Sequence, residues 1–270
     1  MPLRSVLGKS IHDQWRAVLA WSAFAALLPG LYVALYPTLG TGSMMQMMQQ
    51  FIDQMPEAFK AFFASTGLDM TSAEGFLNIE LFGFVGPLLL LAVGIALGAS
   101  ATAAEEEAGT ADLLLANPIR RSRVVVEKTA AMVLWTVVVA VAIWTGVALA
   151  ALGFAVELRL DHVAGALVSL ALLGIAYGGV ALVVGALVAR RMTAIAVATM
   201  LALVAYFVNT LAPLIPGMTG WRVLSPFYWY IGNDPLRHGL EPAHALALVA
   251  VAIGCVVAAA VIWERRDIRG

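Results

Sequence analysis

Six blocks of this 270-residue chain run for 19 to 32 residues without a long polar interruption. They fall at Ala17–Tyr36, Ser72–Ala103, Thr129–Phe154, Val163–Val188, Thr193–Leu211 and Ala243–Trp263. Only the second contains any Asp, Glu, Lys or Arg, namely Glu74 and Glu80. About 20 apolar residues at about 1.5 Å each cross the roughly 30 Å of bilayer hydrocarbon. Backbone polar groups there must be satisfied within the segment, so these blocks predict helices. The expected fold is an all-α integral membrane protein of six transmembrane helices, a single domain over 1–270. Charged residues make up 12% of the chain, about half the share in a soluble domain. The net charge of −1 and the dispersed basic residues point away from nucleic acid.

Lys and Arg set the orientation. With six spans, one side collects Arg4, Lys9, Arg16, Arg120, Arg121, Arg123, Lys128, Arg190, Arg191, Arg265, Arg266 and Arg269. The other side keeps only Lys60, Arg159, Arg222 and Arg237. The richer side is expected to be cytoplasmic and to hold both termini. The fourth and fifth blocks are parted only by Ala189-Arg190-Arg191-Met192, and losing one span would destroy the charge bias. The first block is too long for a signal-peptide core and is read as a retained span.

Residues 1–16 carry Leu7, Ile11 and Trp15 at helical spacing among basic residues, with Leu19 continuing the stripe. That pattern predicts an amphipathic helix on the inner membrane surface. Gly8-Lys9-Ser10 matches the end of a phosphate-binding loop, but Leu3 stands where the earlier glycine is needed and no strand precedes it. The segment 37–71 is expected outside the cytoplasm. Its Met44, Met48, Phe51, Ile52 and Met55 form an apolar stripe, read as a face against bilayer or partner in preference to a Cu(I) site. Thr71-Ser72-Ala73-Glu74 has the form of a capping box that starts the second long helix, and Pro87 is expected to kink it. Gly94-x-x-x-Gly98 and Gly174-x-x-x-Gly178 are small-residue faces for close packing. The extracytoplasmic loop before the last span, 212–242, holds Trp221, Tyr228, Trp229 and Tyr230, which are expected at headgroup level. Its prolines and glycines suit a short re-entrant or interfacial piece. The lone Cys255 excludes an internal disulfide and reads as a packing residue.

No catalytic constellation is legible: neither H-E-x-x-H nor G-x-S-x-G occurs, and His12, His162, His238 and His244 are scattered. Glu80 is either an intramembrane carboxylate, a functional candidate by default, or a group at the wet interface. Tyr177, Asn209 and Thr145 either line a pathway or tie helices together; Glu80, Tyr177 and Asn209 are the candidate pathway-lining residues. No residue is assigned to catalysis or to a metal.

The densest polar stretch is the loop 104–128, which contains EEEAGTADLLLANPIRRSR. Thr110 suits a helix N-cap and Asp112 the first turn. Leu113, Leu114 and Leu115 then form an apolar turn that Asn117-Pro118 ends. Two readings fit: an apolar anchor with a charged rim for a soluble partner, or a helix lying flat on the bilayer. Glu105, Glu106 and Glu107 count against the second, since anionic headgroups repel them.

EEEAGTADLLLANPIRRSRVVVEK resembles the cytoplasmic signature of permease subunits of type 2 ATP-binding-cassette (ABC) exporters. The matching positions are Glu106, Glu107, Gly109, Thr110, Leu113, Leu114, Pro118, Arg121, Arg123 and Lys128. The stretch LSPFYWYIGNDPLRHGL is similar to the loop before the last span of bacterial members, so the resemblance covers nearly the whole chain. Arg120 departs from it, adding charge where the family often has a small or apolar residue. The resemblance implies the type 2 exporter transmembrane fold, with the loop as a coupling helix between spans 2 and 3. Its ATPase-coupling residues would be Glu105, Glu106, Glu107, Gly109, Thr110, Asp112, Leu113, Leu114, Leu115, Pro118, Arg120, Arg121 and Arg123. It further implies two copies of a separate ABC ATPase subunit, which bind ATP and Mg, and a second permease subunit as homodimer or heterodimer. No cofactor is expected on this chain. The implied activity is export of an amphipathic or hydrophobic molecule such as a drug, antibiotic or lipid, with multidrug resistance as one physiological form. Two other classes remain: a membrane enzyme acting on lipid, which would turn over without ATP, and an assembly or regulatory protein docking a non-ATPase partner.

Overall fold

The computed structural model describes residues 5–39, 73–107, 120–215 and 217–265, with Met47, Gln50 and Gln54 as isolated positions; the side chains of Glu105 and Glu106 are outside that description. Six helices are long and apolar enough to cross a membrane among the described residues. In chain order the helices are α1 (Val6–Leu39), α2 (Ala73–Leu77), a π-helical stretch (Asn78–Val85) and α3 (Gly86–Glu107). They are followed by α4 (Arg121–Gly153), α5 (Leu160–Val188), α6 (Arg191–Leu211), α7 (Pro226–Ile231), α8 (Pro235–His238) and α9 (Pro242–Arg265).

The centre of the bundle is α5. Its best apolar window is 72% buried, against 17% for α9, and it packs on α3, α9, α6 and α4. The reason lies in its glycines. A Cβ placed on Gly94 would overlap the Gly174 carbonyl oxygen, and one on Gly98 would overlap that of Gly178. The two small-residue motifs therefore face each other and let the α3 and α5 backbones touch. Similarly, α1 lies along α4 because Gly146 leaves no side chain in the way of the Ala26 carbonyl. Cys255 packs its Cβ over Gly179, as a small apolar residue is expected to do.

The leading amphipathic stretch is helical, but no break separates it from the first span. Val6–Leu39 is one helix of 34 residues, about 51 Å long at 1.5 Å per residue, so it overshoots the hydrocarbon by about 20 Å. Between α5 and α6 the polar break is real: Ala189 adopts a left-handed conformation (φ 54°) and its N–H closes on Gly185. The capping residues Thr71 and Ser72 lie outside the described residues, and the helix is described from Ala73.

Pro87 acts through its missing N–H. In the π pattern each N–H reaches back five residues, and Gly86 N–H indeed donates to the Leu81 carbonyl. The next donor in that ladder would be Pro87, which has none. The Phe82 carbonyl it leaves open accepts the Tyr230 hydroxyl at 2.8 Å. Tyr230, expected at headgroup level, is instead buried, with 2% exposure. Burial, and secondarily Tyr206, hold its phenol well above the usual range, which keeps it a donor. Tyr230→Phe leaves a buried acceptor unpaired, a loss of about 1–3 kcal/mol. Its thermal midpoint in detergent falls by several degrees, while Tyr228→Phe, which keeps the ring beneath Arg222, does not shift.

The segment 212–241 folds inward over α5 and α6. Ser225 organises it: its hydroxyl accepts the Phe227 N–H at 3.2 Å and donates to the Ala205 carbonyl at 2.8 Å, while Pro226 opens α7. Phe227, Ile231 and Leu236 are buried beside Tyr230.

Candidate functional site

Both ends of the 108–119 segment are described, although Gly109, Thr110, Asp112, Leu113, Leu114, Leu115 and Pro118 lie outside the described residues. The acidic run Glu105–Glu107 ends α3 as its last turn. Glu107 is exposed, and its carboxylate accepts the backbone N–H of Arg191 at 3.3 Å, the first residue of α6. On the far side, Arg120 is exposed and its carbonyl accepts from Arg123 and Val124, opening α4. Arg121 donates to the Trp263 carbonyl at 3.4 Å, near the C-terminus of α9, where a cation suits the helix dipole. Arg123 pairs with Glu127 at 2.8 Å. The other Glu127 oxygen accepts the Leu7 N–H at 2.9 Å, satisfying one of the open donors of the first turn of α1. Lys128 is buried one residue further on.

These contacts give the segment a mechanical setting. Its two ends belong to α3 and α4, and each is tied to other helices: α6 through Glu107, α9 through Arg121, α1 through Glu127. Together the two ends touch five of the six long helices, through Glu107, Arg121 and Glu127. Arg121 and Arg123 follow the signature positions; sequence reasoning gave Glu127 and Trp263 no role and read Leu7 only as part of the amphipathic stripe. The only signal for Glu127 was its i,i+4 spacing from Arg123.

The second feature is an apolar groove of about 350 Å³ between the π stretch with α3 on one side and α6 on the other. Phe84, Leu88 and Leu91 face Leu203 and Phe207 across it, and Phe227 closes one end. Phe84, Leu88, Leu203 and Phe207 are exposed, so the groove opens sideways from the bundle. That size is within the roughly 300–1,000 Å³ of small-molecule sites.

The three pathway candidates take different places, and none lines this groove. Tyr177 on α5 is buried with its ring 6.0 Å from Phe227, and Tyr206 of the groove wall meets the same Phe227 edge-on at 5.4 Å. Tyr177 therefore backs the groove. Asn209 is buried on α6 and accepts from Arg222 at 3.4 Å, fastening the 212–241 segment to α6. Glu80 is half-buried in the π stretch. Thr145 is exposed and bonds its own helix at Val141.

Polar groups at the end opposite the loop serve the fold. Asp234 accepts from Asn78 at 3.1 Å and lies 3.4 Å from Arg237. Burial pushes its carboxyl above the usual range, with Arg237 and His238 pulling the other way. His162 donates to the Leu236 carbonyl at 2.8 Å, and His244 stacks edge-on against Tyr228 at 5.3 Å.

No curated protein matches the chain. A family model described as "ABC-2 family transporter protein" matches residues 7–268. That span takes in all six long helices, both ends of the loop and the groove, and so the chain belongs to the ABC-2 family of transporter membrane subunits.

Proposed function

We propose that this subunit is the permease half of an ATP-driven exporter in the inner membrane of a bacterium or archaeon, with both termini in the cytoplasm. ABC-2 permeases associate with ATPase subunits; here the loop 104–128 receives one, with Leu113, Leu114 and Leu115 as anchor and Glu105–Glu107 with Arg120, Arg121 and Arg123 as rim. Two ATPase copies carry ATP and Mg, and a second permease subunit completes the transporter. The observation that carries this reading is the set of ties from the loop's ends to α6, α9 and α1. A docking loop that only held a partner would not need them, whereas one that moves the spans would. The groove between α3 and α6 supports an amphipathic or hydrophobic cargo, because its walls are almost wholly apolar.

The test is to express the chain with candidate ABC ATPase subunits from the same genome. Stable co-purification and ATP-dependent efflux of a hydrophobic dye, lost when either subunit is omitted, are expected. Lipid turnover by the chain alone without ATP overturns the reading in favour of a membrane enzyme. Recovery of a partner without ATPase activity overturns it in favour of an assembly protein.

A further inference from the structure

Beside the loop ends lies a second, smaller cleft of about 160 Å³, walled by α1, α3 and α4. Lys9, Asp13 and Gln14 of α1 face Lys128 of α4 across it. Lys128 is buried, with 8% exposure, and Gln14 Oε1 is buried with no hydrogen-bond partner among the described residues. Leu97 and Met132 contribute an apolar part of its lining.

The position of the cleft narrows its occupant. Lys128 directly precedes the apolar run that begins at Thr129, and Lys9 lies on the part of α1 that overshoots the hydrocarbon. Both stand at headgroup level. A cleft of this size has space for about five waters at roughly 30 Å³ each, too little for a drug-sized cargo. Its chemistry has two signs: ammonium groups attract a phosphate, each with three donors to share between internal partners and a ligand. The buried Gln14 oxygen requires a donor instead, and the exposed carboxylate of Asp13 beside it accepts one. A phosphodiester group by itself offers none of the second kind, and a purely apolar chain offers neither. Basic pockets between helices at the membrane boundary hold lipid head groups.

We propose that this cleft binds the headgroup of a phospholipid, with Lys9 and Lys128 on the phosphodiester and Asp13 and Gln14 on a hydrogen-bond donor such as an ethanolamine ammonium or a glycerol hydroxyl. The assignment of this lipid to the inner leaflet rests on the orientation proposed above; binding itself does not, nor does it depend on an ATPase partner. The lipid would wedge α1 against the two helices that flank the loop.

Native mass spectrometry of the full chain, delipidated in detergent, tests this with added phosphatidylethanolamine, phosphatidylglycerol or phosphatidylcholine and with millimolar inorganic phosphate. Phosphatidylethanolamine or phosphatidylglycerol is expected to bind at least ten-fold tighter than phosphatidylcholine, whose choline has no N–H, and phosphate is expected not to displace it. Lys128→Met and Lys9→Gln each weaken binding about ten-fold or more. Should Lys128→Met fold poorly, Ser100→Leu fills the cleft without touching either lysine and produces the same loss. Arg159→Gln, at the opposite end, binds as the wild type does. Equal binding of phosphatidylcholine, displacement by phosphate alone, or undiminished binding in a Ser100→Leu protein of unchanged thermal midpoint overturns the proposal.

Discussion

On the docking role proposed for the loop, Leu114→Asp is expected to abolish recovery of an ATPase partner with this subunit, while the subunit still inserts and purifies as the wild type does. A buried leucine at the centre of a small interface is worth about 2 kcal/mol or more when lost, and each 1.4 kcal/mol is ten-fold in affinity. Truncation alone thus weakens binding about 30-fold, and a carboxylate in the apolar cleft adds its desolvation cost. Reversing Glu106 and Glu107 to lysine attacks the rim. It lowers the association rate and its salt dependence, and with Leu114→Asp leaves no measurable complex. The readout is ATPase co-purification and ATP-dependent transport in vesicles, with membrane insertion as the internal control. The spans contain none of these residues, which is why insertion survives. Normal co-purification of the triple variant would falsify the docking role of the loop.

The largest effect on folding comes from Gly98→Val. The added Cβ overlaps the Gly178 carbonyl oxygen, a backbone atom held in the most buried helix, so no rotamer change relieves it. Overpacking a core costs about 1–3 kcal/mol when side chains can adjust; here α3 and α5 must separate along their length. The same displacement loosens Gly178, whose own Cβ would meet Gly94 O at 2.7 Å. Folded protein recovered from membranes should drop severely, with a midpoint many degrees lower for what remains. Gly254→Val on α9 provides the contrast, since nothing lies within 4 Å of that position and its midpoint should hold. A wild-type midpoint for Gly98→Val would mean that the α3–α5 contact is wider than described.

Much of this architecture can be read from the sequence because a bilayer simplifies the code. Uninterrupted apolar blocks leave helix as the sole outcome, and Arg190-Arg191 marks the break at Ala189. The glycine motifs are legible as faces, but their pairing is not, because any small face can meet any other. The long-range ties were invisible for a related reason. Tyr230 reaches Phe82 across 148 positions, Arg121 reaches Trp263 across 142, and Leu7 reaches Glu127 across 120. In each, one partner is a backbone group, which leaves no mark in residue identity. The groove escaped notice because its leucines and phenylalanines look like residues facing lipid, and of the polar pathway candidates only Tyr177 backs it, through Phe227. The loop stood out for the opposite reason: charge and leucine crowded together where neither membrane nor water accounts for both.

The π stretch sets a rule for how this chain can change over time. Each residue of an ordinary helix turns the chain by about 100°, so adding a residue between Asn78 and Val85, beyond the one that the π turn already absorbs, would rotate everything before it. Phe76, whose ring now lies 5.6 Å from Tyr36 and 6.5 Å from Tyr32, would swing off α1. The carbonyl that Tyr230 now serves would change neighbours as well. Substitutions in this stretch can therefore accumulate one at a time, whereas a change in its length demands simultaneous repair on α1 and on α7.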